Sequence, residues 1–480
     1  MAFYPSTGTT SSLQAPYATG QGQATLSLPW IGGTLSNIPI RFGTDINVNI
    51  QALHHDLVTC LGSCMPNFTL KQIITKIFDI YMQSSFPLSP LLHEPSIRSN
   101  LALEAPLVTG LAASSNSTGG GDSLSSNRED LAKLRSYTLI VALCAGTAFL
   151  LPTESVQDVA LVGRVFLHTS REMLKLYQDL DIERPNSSSL VIRMFQASSL
   201  HTDSKICVAW QVLGEALRLA EQMRLYEECS FEGLDPVEAR LCRIAFWQLF
   251  MMDKHSALLE DRPMTLHDFS FHGSITVKLQ DELEVRLMGP DTTIAAVELE
   301  EQILTGFYIS QRLWASASRI LLDLQTLTRL CQCDKKAELL VEAQRIGLTG
   351  TYLLFLSVLD NLPPFLQSPE TGISYEETRP SIQYQRQNFR VQRANLLVTY
   401  HCLRMVLLQR FIDLGLVSLL GLRDEDAMLA LRKTEIARDL INVITSVSFD
   451  SLRANGEACV SDYLPAILIT SARAYFYLQR

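Results

Sequence analysis

The sequence predicts an all-α protein, a large irregular multi-helix bundle with a flexible N-terminal arm. Three observations carry this reading. From about residue 67 onward apolar residues recur at helical spacing, and no alternating ladder of strand type emerges. Hydrophobic residues make up 47% of the 480 and charged ones 19%, which is ample apolar material for a large core. The glycines and prolines gather at the N-terminus and around 106–121, leaving the rest of the chain free for long helices.

Taken in order, residues 1–66 carry mixed Gly, Ser, Thr and Pro without sustained periodicity and read as a flexible arm or linker, with a short strand-like piece at Ile38–Phe42. Residues 67–480 read as one helical domain. Behind Pro66, the residues Ile73, Ile74, Ile77, Phe78 and Tyr81 form an apolar stripe that predicts a helix over 68–83. The Pro-punctuated segment 86–97 stops it. A second helix attempt over 97–105 leads into the polar loop 109–127, whose small residues cannot bury enough surface to order themselves. Helical runs then follow near 129–151, 155–180, 188–201, 204–226, 236–259, 294–331, 335–360, 385–416, 424–447 and 460–479. The best-marked start is at Asp235, which can cap, with Pro236 at the first helical position and Glu238 placed to close a capping box. No fixed-period repeat is present, so an irregular bundle is expected rather than a solenoid.

Composition excludes several function classes. Forty basic against fifty acidic residues give a net charge of −10, the wrong sign for a surface that neutralises phosphates by itself. The N-terminal stretch lacks the basic and apolar regions of a signal peptide. The longest apolar run, Leu139–Leu151, falls short of the roughly 20 residues of a bilayer crossing and is expected to be a buried core helix, with no membrane partner. Ten cysteines are scattered through apolar stretches and suggest reduced, packed thiols.

Chemistry-bearing constellations are sparse. A binuclear zinc cluster needs six cysteines within about thirty residues, and none exists here. The nearest set, His54, His55, Cys60 and Cys64, reads as surface or linker residues, and Cys331 with Cys333 offers a poor bite for one ion. No adjacent aspartates mark a magnesium-diphosphate site, and the run Asp424-Glu425-Asp426 suits a solvated first helical turn. A nucleophile elbow and a phosphate-binding glycine loop are absent. No catalytic residue, resident cofactor or metal is therefore expected, and the chain is not expected to be an enzyme. The histidines at 168, 201, 255, 267, 272 and 401 are dispersed and read individually as packing or surface residues. The series Glu238, Arg240, Arg243 and Asp253 reads as cross-helix charge pairing around an apolar stripe.

At residues 185–263 a more specific pattern appears. Gln196-Ala197 is followed by the run Ala209–Leu225, with Trp210, Gly214, Ala216 and Ala220 in it, then by Pro236, Glu238, Ala239, Arg240, Arg243, Phe246 and Trp247, then by Asp253 and Arg262-Pro263. This resembles the fungal-specific transcription factor domain, the middle homology region of zinc-cluster regulators. Upstream, 86–97 resembles that family's proline-rich lead-in, and downstream Asn395–Phe411 resembles its late helix. The paired arginines and double tryptophan of the usual pattern are thinned to Arg243 and Trp247, and the usual Gly-Arg-Pro reads Asp261-Arg262-Pro263. The zinc-cluster module is missing from this sequence, so zinc is implied only if such a cluster lies upstream of Met1.

The resemblance implies a nuclear regulator of RNA polymerase II transcription, serving a metabolic or secondary-metabolite gene set through a regulatory or dimerisation domain. It implies DNA contact only indirectly or through the missing module, protein partners or a homodimer, and a small-molecule inducer. The alternative is a cytosolic helical ligand-binding or scaffold protein without a DNA role. The family-motif residues are expected to be structural: Trp210, Gly214 and Trp247 at helix contacts, with Gly214 allowing a close crossing and Trp210 wedged beside it.

Overall fold

Which residues fold on which others follows from where the apolar stripes fall. The computed structural model describes residues 46–109, 122–152, 158–267, 271, 274–278, 285–289, 294–333, 338–367 and 380–454. All of them belong to one compact unit, Ile40–Arg480. Among the described residues there is no strand, and the order is α1 (Ile46–Cys64), α2 (Leu70–Ile80), α3 (Glu94–Arg98), α4 (Asp122–Thr147), α5 (Val159–Lys175), α6 (Gln178–Glu183), α7 (Ser187–Thr202), α8 (Ile206–Gln222) and α9 (Pro236–Leu259). Then come α10 (Ile294–Cys333), α11 (Glu338–Leu356), α12 (Pro364–Gln367), α13 (Pro380–Asp413), α14 (Asp426–Ser446) and α15 (Phe449–Arg453). The all-α class is as the periodicity predicts.

Three expectations about boundaries change. Residues 46–64, assigned above to the flexible arm, form α1, whose Ile50, Leu57 and Leu61 are fully buried. Their spacing of seven and four is helical, but Val48 and Val58 on the opposite, exposed side blur the stripe. Asn47 ties α1 down by exchanging two hydrogen bonds with the Val108 backbone, at 2.8 and 3.0 Å. The helix attempt at 97–105 is realised only as the short α3. Of the loop assigned to 109–127, residues 122–127 open α4 and residues 110–121 lie outside the described residues, as do 1–45 and the helix expected at 460–479.

Around the core, α4 packs against α5 and α7, α7 against α8, α10 against α11 and α13, and α13 against α14. The segment Asn127–Leu150 is long and apolar enough to cross a membrane, but 78% of its most apolar window is buried inside the protein, as a core helix requires. Helix α2 begins with a capping box between Thr69 and Gln72 and runs into a π turn, Tyr81–Ser85, that swings the proline-rich lead-in across the bundle. Tyr81 fixes that lead-in, its hydroxyl donating to Ser89 O at 2.6 Å and accepting from Leu91 N at 3.3 Å.

The close helix approach falls at a different glycine from the one the motif suggested. A Cβ built on Gly214 meets nothing within 4 Å, whereas one on Gly306 in α10 would sit 2.6 Å from Cδ of Gln392. Gln392 cannot swing aside without cost, because its buried Nε2 donates to Pro87 O and Ile303 O, each at 2.7 Å. Gly306→Ala is therefore expected to cost about 1–3 kcal/mol in urea unfolding. Gly214→Ala should be neutral or stabilising by up to about 1 kcal/mol.

Candidate ligand pocket

The ends of three helices shape a cavity of about 290 Å³. Helix α7 stops where Ser204 takes a left-handed backbone (φ 59°) and Lys205 N bonds Leu200 O at 2.9 Å, so α8 turns back alongside it. Helix α9 ends with Asp261 also left-handed (φ 57°), which carries Glu260 and Arg262 to the cavity mouth. None of these positions is glycine, so the usual sequence signal for such helix ends is missing.

Aromatic and sulfur-bearing side chains supply the large faces of the wall, among them Phe195 of α7, Trp210 of α8, Met251 and Met252 of α9, Trp314 of α10 and Phe149 beyond α4. The polar groups converge from different elements: His201 of α7, Gln248 and His255 of α9 with Glu260 just beyond it, and Asn395 and Thr399 of α13. Glu260 Oε1 lies 3.4 Å from His201 Nε2 and 3.8 Å from His255 Nδ1, and its Oε2 lies 3.9 Å from Arg262 Nε. The two imidazoles meet edge to face at 6.2 Å, and the His255 ring lies 5.6 Å from that of Trp314. The Arg262 guanidinium covers the Trp210 ring at 5.0 Å.

Burial raises the cost of ionising Glu260, yet the hydrogen bond from His201 and the neighbouring His255, His201 and Arg262 outweigh it and hold the carboxyl below its ordinary value. Burial, against the pull of Glu260 and with a small push from His201, lowers His255 to about 4. His401 in α13 is also lowered to about 4, by burial and by Arg404, with Asp439 opposing. Both imidazoles are therefore neutral in the fold near pH 7, and the unfolded chain takes up their protons first as pH falls. Stability is then complete above about pH 6.5 and declines toward pH 4, by on the order of 2–3 kcal/mol for each histidine. Urea midpoints compared at pH 7.5 and 5 should show the loss, and His255→Gln should remove about half of it, leaving the share of His401; an unchanged slope in that variant would contradict the assignment.

The family-motif residues separate into two groups. Ala216, Ala220 and Trp247 are buried in the core, with Trp247 Nε1 donating to Lys278 O at 3.2 Å. Asp235 caps α9, accepting from Val237 N at 2.9 Å, but Glu238 does not complete the expected box there. Its carboxylate instead accepts from Ser187 N and Oγ, both at 2.7 Å, and so caps α7. Arg240 pairs with Glu300 at 3.4 Å and Arg243 with Glu228 at 2.5 Å, the latter also stacked on Phe231. Asp253 accepts from Thr265 N and Leu266 N and from Lys254. Trp210 and Arg262 lie together at the cavity mouth, with Pro263 exposed nearby; Trp210 is 37% exposed and is a wall residue rather than the expected core wedge. Gly214 serves no close crossing.

Sequence reading also passed over groups that the fold brings together. His201 and His255, read above as isolated, share Glu260. Asp181, fully buried, binds Arg135 Nε at 2.7 Å, Arg193 Nη1 at 2.6 Å and Ser189 Oγ at 2.7 Å. With Asp181 on α6 and these partners on α4 and α7, the cluster spans three helices, so local spacing gives no sign of it. His54, one of the candidate zinc-type ligands, instead hydrogen-bonds Tyr137 Oη at 3.1 Å. Among the described residues no three His, Cys, Asp or Glu side chains converge as metal ligands.

Comparison with known proteins gives two matches and one blank. The family model described as "Fungal specific transcription factor domain" matches residues 78–286. A stretch of 78 residues is 35% identical to the aurofusarin cluster transcription factor aurR2 of Gibberella zeae, covering 15% of this chain and 12% of that protein. No solved structure matches.

Proposed function

Starting from the fungal-specific transcription factor domain that this chain carries over residues 78–286, we propose that it is a nuclear regulator of RNA polymerase II transcription whose helical domain senses a small molecule. The family match carries the transcriptional reading. The aromatic-walled cavity inside the matched region and its flanks supports the sensing role, since binding sites for small ligands are concave, mostly apolar and furnished with a few converging polar groups. The relative's name, a cluster transcription factor, supports a gene set of the secondary-metabolite type. DNA is reached indirectly or through another module, because a net charge of −10 opposes direct phosphate contact, and protein partners or a second copy carry the regulatory signal.

Promoter occupancy by chromatin immunoprecipitation, together with transcript levels after deletion in the native host, tests the reading. Occupancy at a discrete gene set whose expression changes on deletion is expected. A tagged protein excluded from the nucleus that still binds a small molecule would instead establish the second reading, a cytosolic ligand-binding scaffold, for which the same cavity speaks.

A further inference from the structure

We propose that this cavity takes a neutral, hydroxyl-bearing aromatic compound, of the phenol or naphthol type, with its ring against Trp210 and Trp314 and its hydroxyl on Gln248. This deepens the sensing role proposed above and rests on it. The wall supplies ring faces and polarisable sulfur at Met251 and Met252, a lining that favours flat, unsaturated ligands over flexible polar ones.

Gln248 sets the polar end. Its Oε1 is buried with no hydrogen-bond partner while the residue lines the cavity, and such an acceptor is costly to leave unmade. A hydroxyl both donates and accepts, so it satisfies the Gln248 amide in either orientation. Ligand charge is constrained from both sides. No lysine or arginine is among the lining residues, and Arg262 at the mouth already faces Glu260 at 3.9 Å, so a carboxylate or phosphate would be desolvated without an uncommitted counter-charge. The single lining carboxylate, Glu260, already faces His201, His255 and Arg262, which leaves little attraction for a ligand cation. The volume of about 290 Å³ suits a fused bicyclic ring and is at the small end of ligand sites.

The test uses purified full chain with four probes: 1-naphthol, naphthalene, 1-naphthoate and 1-naphthylmethylammonium, read by calorimetry and tryptophan quenching. 1-Naphthol should bind at least about tenfold more tightly than either charged probe. Gln248→Leu should weaken 1-naphthol about tenfold and leave naphthalene within about twofold. Trp210→Ala, at a third-exposed position, should weaken naphthol and naphthalene together while keeping the wild-type melting temperature, and so serves even if the Gln248 variant folds poorly. Either charged probe binding as well as 1-naphthol, no binding of 1-naphthol, or 1-naphthol affinity unchanged in both variants overturns the proposal. Binding is read on the isolated protein and transcription in cells, so failure of this inference is distinguishable from failure of the regulatory role.

Discussion

Asp181→Ala is expected to lower unfolding stability by about 3–5 kcal/mol, because it strands two arginines in the interior. Asp181 is fully buried, Arg193 is 1% exposed and Arg135 is 8% exposed, so water cannot replace the lost carboxylate. Arg193 would keep its hydrogen bond to Ser189 O at 2.8 Å, but as a charge partner it has the partly exposed Glu215 at 3.4 Å. Against a typical net stability of roughly 5–15 kcal/mol, such a loss is a large fraction of the whole. The exposed pair Arg98–Asp79, at 3.1 Å, is the internal control: Asp79→Ala should cost no more than about 1 kcal/mol. Urea midpoints of the two variants give the comparison, and equal small losses would mean that the Asp181 cluster is hydrated in solution.

The two motif tryptophans are expected to part company. Trp247 is 6% exposed, packs edge to face on Phe246 and Phe250 at 5.1 and 5.4 Å, and donates to Lys278 O. Trp247→Ala should cost about 3–5 kcal/mol through lost burial and the cavity left behind. Trp210→Ala removes a side chain that is already more than a third exposed, so the melting temperature should hold within a few degrees, equivalent to less than about 1 kcal/mol. Thermal melts of both variants decide the matter. A Trp210 variant as unstable as the Trp247 variant would restore the core role that the sequence pattern suggested.

That exchange shows where sequence reading succeeds and where it stops. Helix periodicity is local, so α7, α8 and α9 could be placed within a few residues, and α9 was bounded by Asp235 and Pro236 as the structure has it. Helix α1 was missed because only Ile50, Leu57 and Leu61 mark its buried side while valines face outward. The pocket was not legible at all. His201, Glu260 and Trp314 come from elements far apart in the chain, and the left-handed turns beside the first two use serine and aspartate in place of the glycine a reader looks for. Trp210 and Gly214 lie within the matched stretch 78–286, but a sequence pattern reports recurrence and not which face of a helix is covered.

The buried amide of Gln392 and the carboxylate of Glu300 have one more implication. Gln392 in α13 holds Pro87, and Glu300 in α10 accepts from Leu287 N and Met288 N at 2.9 and 3.0 Å while pairing with Arg240. Through Pro87 and Arg240, each clasp joins a residue inside the stretch 78–286 to one beyond it. The stretch that the family model matches is therefore expected to fold poorly by itself: expressed alone, it would shed the partners of its own proline-rich lead-in and of α9. Inheritance and cooperativity here draw their borders in different places, and a fragment cut at the edge of the shared portion would leave its interior facing water.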